Sequence, residues 1–259
     1  MNIGIIGTGN IATYLLEQVN ENRLADGKVI AIFGRNIEAG SELSERFGAD
    51  FYTELRRFLE LPLDLLVEAS TVEAAGVYAR DIVASGKDLV VSSIGVFKDL
   101  PLLDELTALA TSKGSHIYLP SGAIGGLDLL QSAASAGGLE QVRISTRKSP
   151  SSLGIKADAV ETLFEGSARA AVEKFPKNIN VALVLALAGI GAEKTEVRII
   201  ADPEITRNTH TIEAEGVFGR MQLQVENNPM PSNPKTSLLA ALSILAVLQN
   251  RNKALRIGN

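Results

Sequence analysis

The stretch "NIGIIGTGNIATYLL" (residues 2–16) decides how this chain folds. A short apolar run ends in Gly7-Thr8-Gly9-Asn10-Ile11-Ala12, and a helix-favouring segment follows. This is the G-x-G-x-x-A turn between a buried strand and a helix. Gly7 permits the tight turn, Gly9 lets the backbone approach a pyrophosphate, and Ala12 lets helix and strand pack closely. The helix N-terminus presents N–H groups and a partial positive charge to phosphate. A strand before the motif and a helix after it make a dinucleotide site the expected reading, with contacts from residues 7–12.

Working outward, "KVIAIFG" (28–34), "LDLLVEAS" (63–70), "DLVVSS" (88–93) and "SHIYLPS" (115–121) read as strands. Helices are expected between them, over 11–19, 36–48, 72–85 and 99–114. Continuously apolar strands separated by helices predict a parallel sheet covered on both faces. The expected fold is therefore α/β, with a Rossmann-type domain over 1–121.

The pattern changes after Ser121. "QVRISTRK" (141–148) places Val142, Ile144 and Thr146 on one face. "EVRIIADP" (196–203), "HTIEAEG" (210–216) and "VFGRMQLQVE" (217–226) are further strands, the last two clearly alternating. Period-two alternation predicts a sheet with one wet face. Helices over 167–174 and 178–190 cover the dry face, the second capped by Asn178 and ended by Gly189 and Gly191. The expectation is an α+β substrate and dimerisation domain over 122–235, with a mostly antiparallel or mixed sheet. A C-terminal helix in 236–259 is expected to return to the first domain.

Composition narrows the function. Net charge is −5, which argues against a non-specific nucleic-acid binder. The 259 residues include no cysteine and two histidines, so thiolate chemistry is excluded and a histidine-rich metal site is not expected. The apolar runs 181–191 and 237–248 fall short of the ~20 residues of a membrane span. The N-terminus enters a strand directly, without a basic, then apolar leader. A cytoplasmic protein is expected, and a homodimer through the exposed sheet of the second domain.

The second strand ends in Gly34-Arg35-Asn36, where many dinucleotide enzymes carry an acidic residue for the ribose. With no carboxylate to repel a 2′-phosphate and a guanidinium to pair with it, NADP is expected to serve at least as well as NAD. The alternative is that Arg35 stacks on adenine or is solvated. Small residues Ala69 and Ser70, after Glu68, and the Ser92-Ser93 pair leave room at the next strand ends.

Four further stretches are long and specific: "LPSGAIGGLD" (119–128), "FPKNINVALVLALAG" (175–189), "VRIIADPEITRNTHTIEAEG" (197–216) and "NPKTSLLAALS" (233–243). With the glycine loop, they make nearly the whole chain resemble the L-aspartate dehydrogenase family. The resemblance implies a Rossmann domain joined to an α+β substrate domain. It implies interconversion of L-aspartate with iminoaspartate, or oxaloacetate plus ammonia, using NAD or NADP, and a link to NAD biosynthesis in some members. It further implies His210 as the catalytic residue and Ala123 and Asn180 as cofactor contacts.

Strand parity alone makes His210 a packed core histidine; the resemblance makes it a general acid/base. His116, at the start of a sheet strand, reads as structural. A dicarboxylate substrate needs cationic or N–H partners, and Arg147, Lys148, Lys177, Arg207 and Lys235 are the candidates, with the "SGAIGG" backbone (121–126). Two rival readings remain. One is another two-domain reductase, homoserine-dehydrogenase-like or dihydrodipicolinate-reductase-like; the other is a non-catalytic NAD(P)-binding sensor.

Overall fold

The computed structural model describes residues 1–175, 180–255 and 257, with the side chains of Pro234 and Lys235 outside the description. It divides into two compact units. Most of one is Met1–Pro120 with the segment 241–255; most of the other is Ser121–Ala240.

In the first unit, strands β1 (Asn2–Ile6), β2 (Lys28–Phe33), β3 (Asp50–Tyr52), β4 (Leu65–Glu68), β5 (Asp88–Val91) and β6 (Ile117–Tyr118) pair in the order β3-β2-β1-β4-β5-β6, every pair parallel. This is the doubly wound order that binds dinucleotides. Ile3, Ile5, Val67 and Val90 are fully buried, as a sheet covered on both faces requires. Strand β6 is shorter than expected because it runs into Pro120, which has no N–H for a ladder.

Helix α1 (Asn10–Leu16) runs on into a π-helical turn, Glu17–Glu21. Helix α2 (Ile37–Phe47) is capped by Asn36, whose Oδ1 accepts the Ala39 N–H at 3.2 Å, and is stopped by left-handed Gly48. Short α3 (Leu55–Leu59) precedes α4 (Val72–Ala84), capped by Thr71, and α5 (Leu100–Lys113), capped by Asp99. The last helix is Leu238–Asn250, and its Ile244, Leu245 and Leu248 join the core of β1 and α1. It starts two residues later than Thr236 because 233–237 pairs as a strand with 229–230.

Asp88 ties this core together at the start of β5. It accepts from Arg251 Nη2 at 2.7 Å and from the His116 N–H at 2.8 Å. Burial opposes its ionisation, but Arg251 and the His116 N–H outweigh that and hold the carboxyl below the ordinary aspartate value. A depressed folded pKa contributes stability above the unfolded pKa, and that contribution disappears as pH falls through the folded value. Asp88→Ala is expected to lower unfolding free energy at pH 7 by about 1–3 kcal/mol, with the difference shrinking in acid. Urea titrations at pH 7 and pH 3 check this; an equal loss at both would remove the ion pair from the account.

In the second unit, β7 (Leu139–Lys148), β8 (Glu161–Ser167), β9 (Glu196–Ala201), β10 (Asn208–Gly216) and β11 (Gly219–Asn227) form a sheet in the order β11-β10-β7-β9-β8. Only β7–β9 is parallel, so the sheet is mixed. One face is dry: Val142, Ile144, Val197, Ile199, Ile212 and Ala214 are at most 2% exposed. Helices α6 (Leu127–Ala134), α8 (Ala168–Lys174) and α9 (Asn180–Ala188) pack on it, while α7 (Pro150–Leu153) is a single turn after β7. Gly191, at φ +85°, closes α9 by donating to the Ala186 carbonyl at 2.9 Å. The cap expected at Asn178 lies outside the described residues. Val217 and Phe218, read in sequence as the start of β11, instead form the β10–β11 turn, with Gly216 opposite Gly219.

Candidate active site

Two sets of residues concern function, one in each unit. In the first, Gly7 has φ +121°, and a Cβ there would collide with the Ala69 carbonyl. Only glycine fits, so the β1 turn is forced tight against the end of β4. At Gly9 a Cβ would meet nothing within 4 Å, so the space in front of the loop is open. Gly9 is also the N-cap of α1 and supplies no side-chain cap, which leaves the first N–H groups available to an anion. The loop fits a pyrophosphate.

Gly7, Thr8, Gly9, Ala69 and Ser70 line one cavity together with Arg35 and Asn36. Arg35 is exposed there. Asn36 spends its Oδ1 on the α2 cap. Ala12 is fully buried and Ile11 packs on the core, so residues 11 and 12 offer main chain rather than side chain to a ligand; Asn10 is exposed on the first turn.

The second set lies on the dry face of the mixed sheet. His210 is 3% exposed on β10, directly opposite Thr146 on β7. Its Nδ1 is 2.9 Å from Thr146 Oγ1, which fixes the ring and leaves Nε2 as the nitrogen able to move a proton. Burial, and then the positive charge of Lys148, push the imidazole pKa down to about 3. His210 is therefore neutral near pH 7. Lys148 follows Thr146 by two residues on the same face, making it the diagonal cross-strand neighbour of His210, within reach of a long side chain. Burial pushes its ammonium below the ordinary lysine value.

The loop carrying Ala123 is fastened to the same end of the same face. Asn227, 3% exposed at the end of β11, donates from Nδ2 to the Ala123 carbonyl at 3.0 Å. Its Oδ1 accepts from Ser237 Oγ at 2.6 Å. Asn227 pairs with Asn208, two residues before His210. A Cβ on Gly122 would touch Val181, the neighbour of Asn180 at the start of α9, at 3.8 Å. His210, Lys148, Ala123 and the Asn180 turn are thus grouped within one unit.

The other cations stand elsewhere. Arg147 faces the opposite side of the sheet and pairs with Asp202 at 2.6 Å. Arg207 is exposed, 3.9 Å from Glu226. Lys177 and the Lys235 side chain lie outside the described residues. His116 is an exposed partner of Asp88 and no part of either set. Asn227 was not singled out in the sequence, because its link to Ala123 spans 104 residues. The partnership of Thr146 with His210 was legible in principle, since both sit on apolar faces of alternating strands. Among the described residues no cluster of His, Asp or Glu could hold a metal ion, and no helix is long and apolar enough to cross a membrane.

A doubly wound dinucleotide unit, followed by an α+β unit with a buried histidine beside a lysine, defines a two-domain nicotinamide-dependent oxidoreductase. Comparison with known proteins narrows the class. Residues 7–120 match the family described as homoserine dehydrogenase, NAD binding domain, and residues 128–251 match aspartate dehydrogenase, C-terminal. The L-aspartate dehydrogenase of Methanospirillum hungatei is 37% identical over 260 residues, covering 100% of both chains. That of Methanothermobacter thermautotrophicus is 39% identical over 258 residues, covering 100% of this chain and 98% of its own. The crystal structure of aspartate dehydrogenase from Thermotoga maritima superimposes with a TM-score of 0.82 at 30% identity, covering 100% of this chain and 99% of that one. The chain belongs to the L-aspartate dehydrogenase family, and it is an enzyme.

Proposed function

We propose that this enzyme interconverts L-aspartate with iminoaspartate, and so with oxaloacetate plus ammonia, and that His210 moves the protons. The observation that most supports this is the convergence of His210, Lys148 and the Ala123 loop on one end of one sheet face. A bound nicotinamide supplies the hydride acceptor. The protein must hold the substrate, exclude water during transfer, and move protons before and after it.

The substrate ammonium first gives up a proton; oxidation then removes a hydride from the α-carbon of the free amine and leaves an iminium. Water then adds to that carbon, a proton moves from oxygen to nitrogen, and ammonia leaves as the carbonyl forms. His210 Nε2 serves these transfers, while Thr146 steadies the ring through Nδ1. Lys148 takes a substrate carboxylate, and Ala123 and Asn180 contact the cofactor. In the empty site the imidazole is a weak base. Two incoming carboxylates reverse the local field, offset the Lys148 charge and raise its basicity when a proton must move. The enzyme is read as cytoplasmic and as a homodimer through the polar outer face of the mixed sheet.

NADP is read as serving at least as well as NAD, through Arg35. Aspartate-dependent reduction of each cofactor tests both statements. NAD(P)H should form with aspartate, and kcat/KM for NADP should equal or exceed that for NAD. Arg35→Ala should lower the NADP value about tenfold, with little change for NAD, as loss of one charge-assisted contact implies. A tenfold preference of the unmodified enzyme for NAD would reject the assignment of Arg35.

A further inference from the structure

One buried charge has no part in this scheme. Glu68 ends β4 and is 1% exposed. Its Oε1 accepts from the Ser70 N–H at 2.8 Å, the Ser70 hydroxyl at 2.7 Å and the Ser93 hydroxyl at 2.9 Å. Its Oε2 accepts from the Ser93 N–H at 2.9 Å. Four donors converge on two oxygens that both accept, the bonding pattern of a carboxylate, and the two N–H bonds and the Ser70 hydroxyl bond are short. Among the described residues no Lys or Arg pairs with it, so dipoles alone hold this anion.

A buried, unpaired carboxylate is costly where an apolar side chain would pack as well. Its position suggests what the charge does. The strand order splits the sheet into two mononucleotide halves that meet between β1 and β4. The glycine loop and Arg35 belong to the β1–β3 half, which would hold the adenosine. Glu68 and Ser93 stand at the carboxyl ends of β4 and β5, on the crevice side of the other half, which is left for the nicotinamide. Oxidised and reduced nicotinamide differ there by one positive charge.

We propose that Glu68 is an electrostatic positioning residue: held by Ser70 and Ser93, its charge favours the oxidised over the reduced cofactor. The field acts through a protein interior, where one charge is felt over several ångströms.

The test is binding, without turnover. Kd values for oxidised cofactor, reduced cofactor and ADP-ribose are measured by calorimetry for the intact protein, Glu68→Gln and Ser93→Ala. Glu68→Gln should weaken the oxidised cofactor and shift the oxidised-to-reduced Kd ratio by roughly 3- to 10-fold, with ADP-ribose changed less than about twofold. Ser93→Ala keeps the charge and removes one dipole that partly cancels it, so the preference should hold or strengthen. An unchanged ratio in Glu68→Gln overturns the proposal. So does loss of the preference in Ser93→Ala, even if the glutamine variant fails to fold.

Discussion

His210→Ala is expected to lower kcat for aspartate oxidation by about 10²- to 10⁴-fold, the usual worth of a positioned acid/base, while the Kd for NAD stays within about threefold. The alanine also leaves a cavity and strips Thr146 Oγ1 of its 2.9 Å partner, so it should cost stability. His210→Asn separates the two effects. It retains a polar group beside Thr146, should recover much of the lost stability, and should stay as slow as alanine because an amide does not carry a proton. If the asparagine variant regains turnover together with stability, His210 is a packing residue and the core reading from strand parity was right. The pH dependence gives a second check. With its pKa near 3, the free imidazole is neutral across the working range, so kcat/KM should show no acid limb from His210 between about pH 5 and 8. A limb near 6.5 that vanishes in the asparagine variant would contradict the described burial.

How far the sequence alone could reach is visible in particular residues. The glycine loop announces its strand and helix because its first glycine has no steric substitute: Gly7 is wedged against the Ala69 carbonyl. Buried parallel strands are legible because both faces demand apolar residues. Strand β8, "ETLFEGS" (161–167), escapes this logic. It lies at a sheet edge, mostly exposed or half-buried, and has no need of a clean alternation. Helix α6 follows a glycine-rich loop that hides its start, with left-handed Gly126 as its cap. The turn at Val217-Phe218 is hidden for the opposite reason, because its residues have strand preferences. The site divides the same way. His210 is visible through its family motif, but its surroundings come from a pairing across 64 residues, and the anchor of Ala123 from one across 104. Local pattern does not carry such links.

The adjacent cations Arg147 and Lys148 show what a pairing register adds, and they yield the other large effect. In sequence the two were equal candidates for the substrate carboxylates. A strand sends neighbours to opposite faces, and the β7–β10 register puts Lys148 on the side of His210 while Arg147 meets Asp202. Lys148→Met, which keeps the length and apolar stem of the side chain, should lower kcat/KM for aspartate about 10²-fold, mostly through KM, as loss of a charge-assisted contact in a poorly solvated site implies. Arg147→Met should change kcat/KM by less than about threefold, because its partner is a structural carboxylate. Removing the Lys148 charge also removes one of the two causes that hold the His210 pKa down, so that pKa should rise, and any acid limb in kcat/KM should move up. A merely structural lysine would not produce this pair of results. If KM rises without any change in the pH profile, Lys148 binds substrate but is too far from the imidazole to tune it. If Arg147→Met is the more damaging variant, the carboxylate site lies on the outer face of the sheet, and the placement of substrate beside His210 falls with it.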